Sequence, residues 1–221
     1  METKREESLH EQVYAMIKTA IMAGRYKPGE KLTVRGVKKE FGISETPVRA
    51  ALNRLGATGE LTQLSTSGSM AVPRVTAAEF EEVMLLRAHM EELAVIRAFP
   101  HVDETVISKL KEIVDRASAQ YPNMNLEADL DYNYEFKQTI YAASGSPTLL
   151  KIINMLWMRV GPSLRYCSTI DLPALQDTYI DNGILRAIED GDAPKAARLV
   201  SGNIINGMVS VLSSGALDEI D

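Results

Sequence analysis

Apolar residues recur at helical spacing along most of the chain, and the places where that spacing fails divide it. Val13, Ile17 and Ile21, with Met16 and Ala20 beside them, make a stripe that stops at Gly24. Ser8-Leu9-His10-Glu11 has the form of a capping box, so this helix is expected to start there. Lys27-Pro28-Gly29-Glu30 is a turn and Leu32 sits in a short segment after it. Val34 to Phe41 then reads as a helix, with Val37 and Phe41 inward and Arg35, Lys38 and Lys39 outward. Gly42 ends it. Ser44 is placed as an N-cap and Pro47 in the first turn of another helix. Val48, Ala51, Leu52 and Leu55 form its buried face, leaving Glu45, Thr46, Arg49 and Asn53 on the other side. After Gly56 and Gly59 the pattern shortens to that of a hairpin: Leu61 to Leu64, the polar turn Ser65-Thr66-Ser67-Gly68-Ser69, then Met70 to Val72.

Pro73-Arg74-Val75 reads as a linker, and no later stretch has a convincing strand pattern. Thr76-Ala77-Ala78-Glu79 is a second capping box, opening a long helix that runs to Ala98. Phe80, Val83, Met84, Arg87, Met90 and Ala94 share one broad face of it. Arg87 thus points where apolar residues point, which calls either for an ion pair with a carboxylate such as Glu91, one turn on, or for a ligand. Further helices are expected at Thr105 to Gln120 and at Leu126 to Ala143, the latter closed by Ser144-Gly145. Ser146-Pro147 starts another that runs to Tyr166 and bends at Gly161-Pro162. The last two begin at Asp171-Leu172-Pro173 and Asp192-Ala193-Pro194 and run to Glu189 and Leu212. The fold class is therefore mainly α. Residues 1–75 form a small helical domain with a hairpin, and residues 76–221 an all-α bundle of about six helices.

Composition refines this picture. With 221 residues and 45% hydrophobic content, two domains can each bury a core. The net charge of −6 hides an asymmetry: residues 1–75 carry 12 Lys+Arg against 8 Asp+Glu, and residues 76–221 carry 12 against 22, that is +4 and −10. That suits a basic reader of nucleic acid joined to an acidic body, although an excess of four charges is also ordinary for a domain of this length. No run of about 18 apolar residues spans a membrane, and the start Met1-Glu2-Thr3-Lys4-Arg5-Glu6-Glu7 lacks a signal peptide's apolar segment, so a cytoplasmic protein is expected. Cys167 is alone, and His10, His89 and His101 are scattered without metal-ligand spacing. A bundle enzyme would need a nucleophile–base pair or a carboxylate-rich metal site. Cys167 has no His in any motif with it, and Asp129 and Asp131 have no partners at ligand spacing, so no enzyme is expected.

The run Tyr26-Lys27-Pro28-Gly29-Glu30-Lys31-Leu32, followed by Gly42-Ile43-Ser44-x-Thr46-Pro47-Val48-Arg49-x-Ala51-Leu52-x-Arg54-Leu55 and a Gly-bearing hairpin, resembles the winged helix-turn-helix domain of GntR-type bacterial transcription regulators. The likeness covers residues 9 to 73. It implies contacts to double-stranded operator DNA from Arg35, Ser44, Thr46, Arg49 and, at the wing tip, Gly68. The position after the N-cap Ser is often Arg in that family and is Glu45 here. A carboxylate there repels phosphate but can accept from cytosine N4, so Glu45 is a candidate for an altered operator preference. Arg54 is left between DNA and an ion pair with a neighbouring carboxylate.

Residues 77 to 213 resemble the FCD effector domain of the FadR branch, through Arg87-x-x-Met90-Glu91, Phe136 with Ala143-Ser144-Gly145 after it, Ile184-Leu185-x-Ala187-Ile188-x-x-Gly191-Asp192, and Ala196-Ala197. Leu156-Trp157-Met158-Arg159-Val160-Gly161-Pro162 is most similar to VanR-like members. Relatives of this kind commonly hold a divalent metal through an Asp, a His four residues later, and two more His. The matching positions here are Asn133, Lys137, Asp181 and Asn203, without a single His. An ammonium offers a metal no lone pair, so no metal and no other cofactor is expected. Lys137 is instead read as the positive charge of the site, paired with Asp181 and completed by the Asn133 and Asn203 amides; the same set could equally plug a redundant cavity. Arg87, Arg159, Tyr134 and Tyr166 are further effector-site candidates, the two arginines being able to fork onto a carboxylate or phosphate. The resemblance implies a homodimeric repressor controlled by a small effector. An anionic metabolite is favoured over an apolar or aromatic one. A regulator that still binds metal through Asp181 and amide oxygens, and an architectural DNA-binding protein without a ligand, are the alternatives.

Overall fold

The computed structural model describes residues 2–64, 69–120, 124–167 and 180–218, with side chains from Leu9 onward and, past residue 180, from Asn182. The first helix, α1 (Glu2–Met22), begins well before Ser8, which therefore lies inside the helix and does not cap it. Glu, Lys and Arg around residues 2–7 are good helix formers and extend it. Met22 at its end and the stripe of Val13, Ile17, Ala20 and Ile21 are buried, whereas Met16 is 42% exposed and stands outside the stripe. They meet the buried face of α3 (Glu45–Ala57), made of Val48, Ala51, Leu52 and Leu55. Each Val, Leu and Ile among them contributes roughly 1.5–3 kcal/mol on burial.

Between them lies α2 (Val34–Phe41), capped by the Thr33 hydroxyl, which accepts from the Gly36 N–H at 3.0 Å, and closed by Gly42 at φ 66°. The hairpin strands are β2 (Thr62–Gln63) and β3 (Met70–Ala71). The segment around Leu32 adds β1 (Lys31–Leu32), so the sheet order is β1-β3-β2, with Leu32 opposite Met70. That third strand has no sequence signal, because two residues cannot show a period. Gly56 on α3 holds the hairpin close: a Cβ there would come within 2.7 Å of the Met70 side chain. The wing tip, Ser65 to Gly68, lies outside the described residues.

Among the described residues, six α-helices make the second domain: α4 (Ala77–Ala98), α5 (Glu104–Gln120), α6 (Leu126–Ala142), α7 (Pro147–Val160), α8 (Ile180–Glu189) and α9 (Ala193–Ser213). Among the described residues no strand follows Ala71. Thr76, Ser146 and Asp192 each accept from a backbone N–H of the first turn that follows them, as their positions predict. The Glu79 carboxylate does not reach back to complete its box, because it binds Arg159. At Gly161-Pro162 the α-helix stops and the chain continues as a 3-10 segment, Gly161–Tyr166, where a bent helix had been expected. The proposed start of α8 at Asp171 lies outside the described residues. α4 is central, packing against α7 and α9 and, more lightly, α6.

The two domains are joined by more than the linker. The end of α1 rests on the 3-10 segment, where Gly161 passes so close that a Cβ on it would lie 2.1 Å from the Met22 carbonyl oxygen. Arg165 donates to the carbonyls of Gly24 (2.8 Å) and Arg25 (3.0 Å), placing a cation at the negative end of α1. Arg25 forks onto Asp131 of α6 at 3.0 and 2.7 Å. A single apolar core runs from the head into the bundle.

Candidate DNA interface and effector site

The exposed surface of the head is built by α2 and the N-terminal half of α3. Arg35, Ser44, Glu45, Thr46 and Arg49 are all exposed, and the helix packing that buries Val37, Val48 and Leu52 turns them outward together. Ser44 has extended backbone at the N-cap, yet its hydroxyl makes no cap bond and is left for another acceptor or donor. Glu45 and Arg49, one turn apart, form an ion pair across the face. The only arginine on the outer face of α3's first two turns is thus held by the atypical carboxylate in the free protein. An exposed pair of this kind is worth well under about 1 kcal/mol, so a phosphate can displace it. Arg54 faces away from this surface: its guanidinium lies 3.9 Å over the Tyr14 ring and bonds Glu11 at 2.6 Å, both on α1. The head is tied further by Glu60, which accepts from Lys18, from Tyr14 (3.1 Å) and from Thr58 (2.9 Å). Burial works to raise the Glu60 pKa, but these donors win and hold it below the usual glutamate value.

In the bundle, Lys137 on α6 is only 2% exposed and donates to Asn203 Oδ1 on α9. Two of the four expected residues therefore meet. Asn133, one turn before Lys137, is half-buried; the Asp181 side chain lies outside the described residues. Cys167, at the end of the 3-10 segment, closes the same region: burial pushes its thiol pKa up, while a bond with Ser210 and the Lys137 charge pull the other way.

The other candidates stand elsewhere. Arg87 is 1% exposed, bonds Glu91 at 2.7 Å and lies 3.8 Å over the Trp157 ring. Tyr141 donates to the second Glu91 oxygen. The cation on the core face of α4 is therefore answered inside the protein, by the ion pair with Glu91. Tyr134 also packs edge-on with Trp157, with centroids 5.2 Å apart, and its hydroxyl reaches Met22 Sδ at 3.8 Å. Burial pushes the Tyr134 hydroxyl up to about 12. Arg159 is exposed and bonds Glu79, tying α7 to α4, and Tyr166 is half-buried against the core. Trp157, Tyr141, Arg25 and Arg165 had not been singled out. Trp157 is the one Trp in the chain and lies on the buried stripe of α7, which is the signal that was available. Arg25 and Asp131 are 106 residues apart, and nothing local to either points to the other.

Comparison with known proteins agrees with this arrangement. Residues 9–70 match the model of the bacterial regulatory proteins of the gntR family, and residues 82–205 match the FCD domain. The chain is 30% identical over 175 residues to the HTH-type transcriptional regulator McbR of Escherichia coli K12, a span covering 79% of both proteins. This chain belongs to the GntR family of transcription regulators. Its effector domain is of the FCD type, and it is a regulator, not an enzyme. It is also 27% identical over 137 residues to the Nta operon transcriptional regulator of Aminobacter aminovorans, covering 61% of this chain and 63% of that one. The solved structure of E. coli McbR/YncC superposes with a TM-score of 0.80 at 26% identity, covering 94% of this chain and 98% of the other. A putative GntR regulator from Rhodococcus sp. RHA1 shares the fold at 18% identity, with a TM-score of 0.65 over 93% of this chain and 98% of that one.

Within this GntR regulator, Lys137 and Asn203, two of the positions matched above to a metal site, do not suit a metal. Lys137 fills one with an ammonium that has only donors, and its bond uses the Asn203 oxygen that a cation would need. Among the described residues no group of three His, Cys, Asp or Glu stands together. No described helix is long and apolar enough to cross a membrane.

Proposed function

We propose that the protein is a cytoplasmic, homodimeric repressor whose affinity for double-stranded operator DNA is set by a small anionic metabolite bound beside Lys137. The observation that carries the effector reading is the buried ammonium of Lys137 between α6 and α9, at the place where FCD relatives commonly hold a metal. A cation at 2% exposure favours negative charge around it, whether from Asp181 or from a ligand carboxylate. Asn203 and Asn133 supply amide hydrogen bonds beside it. On the head, Arg35, Ser44, Thr46 and Arg49 are the DNA contacts, Glu45 adjusts the base preference, and Gly68 belongs to the wing.

The dimer reading is supported by α4. Leu85, Leu86, Leu93 and Ile96 are all at least 40% exposed and lie within about 100° of one helix face, interleaved with Glu82 and His89; so many large apolar side chains are seldom left in water together. A second copy of the chain is the occupant that function asks for, because one short recognition helix reads few bases and two reading heads multiply affinity. The test is a thermal-shift screen of carboxylates and phosphates on the full-length protein, followed by operator binding with the hit. The expected result is a raised melting temperature and an operator affinity changed by at least tenfold, both lost in Lys137→Met. A hit that acts equally on Lys137→Met sinks the assignment of the site. Metal found in stoichiometric amount in the purified protein would favour the metal-dependent alternative.

A further inference from the structure

The 3-10 segment Gly161–Tyr166 runs between two places that regulation has to connect. Its first residue interlocks with the end of α1, backbone against backbone. A Cβ on Gly161 would lie 2.1 Å from the Met22 carbonyl oxygen, and a Cβ on Gly24, at φ 79°, would lie 2.8 Å from the Gly161 carbonyl oxygen. Arg165 adds its two bonds to the Gly24 and Arg25 carbonyls, with Glu127 of α6 standing 3.8 Å from it. The segment therefore cannot shift without moving the end of α1 or breaking these bonds. Along its length α1 packs on α3, the helix that carries Arg49.

The far end of the segment reaches the effector region. The chain leaves the 3-10 turn at Cys167, whose N–H donates to the Leu164 carbonyl at 2.9 Å. The Cys167 thiol is hydrogen-bonded to Ser210 of α9 and lies in the field of Lys137 and Asp129 of α6. Ser210 follows Asn203, the acceptor of Lys137, by two turns on the same helix. Short 3-10 stretches have poorer hydrogen-bond geometry than α-helix and often mark hinges.

We propose that this segment is the relay by which the Lys137 site governs the reading head, with Arg165 the positioning residue that hands its displacement to α1, resting on the Lys137 reading for the origin of the signal only. An occupant beside Lys137 displaces the Cys167 end, Arg165 and the Gly161–Gly24 interlock carry the last turn of α1, and α3 moves with it. The tie of Arg25 to Asp131 holds the domains together without transmitting.

The relay can be driven without the effector. Methyl methanethiolsulfonate converts the Cys167 thiol to Sγ–S–CH3 with release of methanesulfinic acid, and Cys167 is the one cysteine of the chain, so the adduct is unique. Where the half-buried thiol resists labelling, Cys167→Met places the same shape there. Affinity of the full-length protein for the duplex it selects from a random pool should change roughly tenfold or more on labelling and return with reductant. In Arg165→Met that response should vanish, whereas in Arg25→Met it should persist undiminished. If Arg165→Met does not fold, Arg165→Gln, too short to reach α1, decides in its place. A merely structural Arg165 would lower the melting temperature and leave the response in place. Lys137→Met should also keep the response, so a failed anion screen tells against the effector site alone and a failed adduct response against the relay alone. Unchanged affinity in both the adduct and Cys167→Met, a full response without Arg165, or its equal loss in Arg25→Met overturns the proposal.

Discussion

In the proposed DNA contact, the Glu45–Arg49 ion pair puts reading and its restraint on one turn of helix. Removing the carboxylate by Glu45→Ala frees Arg49 for phosphate. Non-specific affinity, measured by fluorescence anisotropy on random-sequence duplex, should then rise, and the salt slope should steepen by about one. Unchanged affinity and slope would mean that Glu45 neither holds Arg49 nor repels the backbone. Glu60 gives the residue scale its pH dependence. Its pKa is lowered in the folded head, so the stability it confers is present above the unfolded glutamate value, near 4.5, and lost as pH falls through the folded value. Acid melting curves should therefore show the head losing stability below about pH 4.5, with much of that slope gone in Glu60→Gln. These two contacts differ in legibility. Glu45 and Arg49 are four apart on a helix that the pattern predicts, so they can be read from spacing. Glu60 meets Lys18 and Tyr14 across more than 40 residues, and only packing of α1 on α3 brings them together.

Among the elements, the junction of α1 with the 3-10 segment is the least forgiving. Gly161→Ala places a Cβ against the Met22 carbonyl, where backbone on both sides must move. Overpacking of this kind costs roughly 1–3 kcal/mol. It should lower the melting temperature and, because the clash lies between domains, raise the rate of proteolysis near the linker. Arg165→Ala should also loosen the junction, by removing the donor to Gly24 and Arg25. Helix positions and several caps were legible because periodicity and hydroxyl or Asp caps are local signals. The 3-10 segment was not: Gly161-Pro162 announces a break, but whether the chain bends or changes helix type depends on what it packs against. Nor was the outer face of α4 legible. Its exposed apolar side chains alternate with polar ones, Glu81, Glu82, His89 and Glu92 among them, so no outer stripe announces Leu86 and Ile96.

In the whole molecule, the proposed dimer needs its two heads held at a fixed separation, and the exposed face of α4 is the surface proposed to hold them. Leu93→Glu with Ile96→Glu sets like charges in that face. By size-exclusion chromatography with light scattering the double variant should be a monomer, with its own fold intact by circular dichroism. Operator affinity should fall on the order of 10²-fold, the avidity of a second linked site. A dimer of unchanged mass would move the interface elsewhere. The family and domain order were legible in the motif from Phe41 to Leu55 and the helical pattern after Val75. The clamp between head and bundle, made by Arg25, Asp131 and Arg165, depends on tertiary placement and was visible only in the structure. The central claim is that the outer face of α3 does the reading, twice per molecule. It is tested most directly by titrating the full-length protein onto the duplex it selects from a random pool, beside Arg49→Ala. The account predicts two protected half-sites related by a dyad and a loss of at least tenfold in affinity for Arg49→Ala; a single protected half-site, or full affinity in that variant, would contradict it.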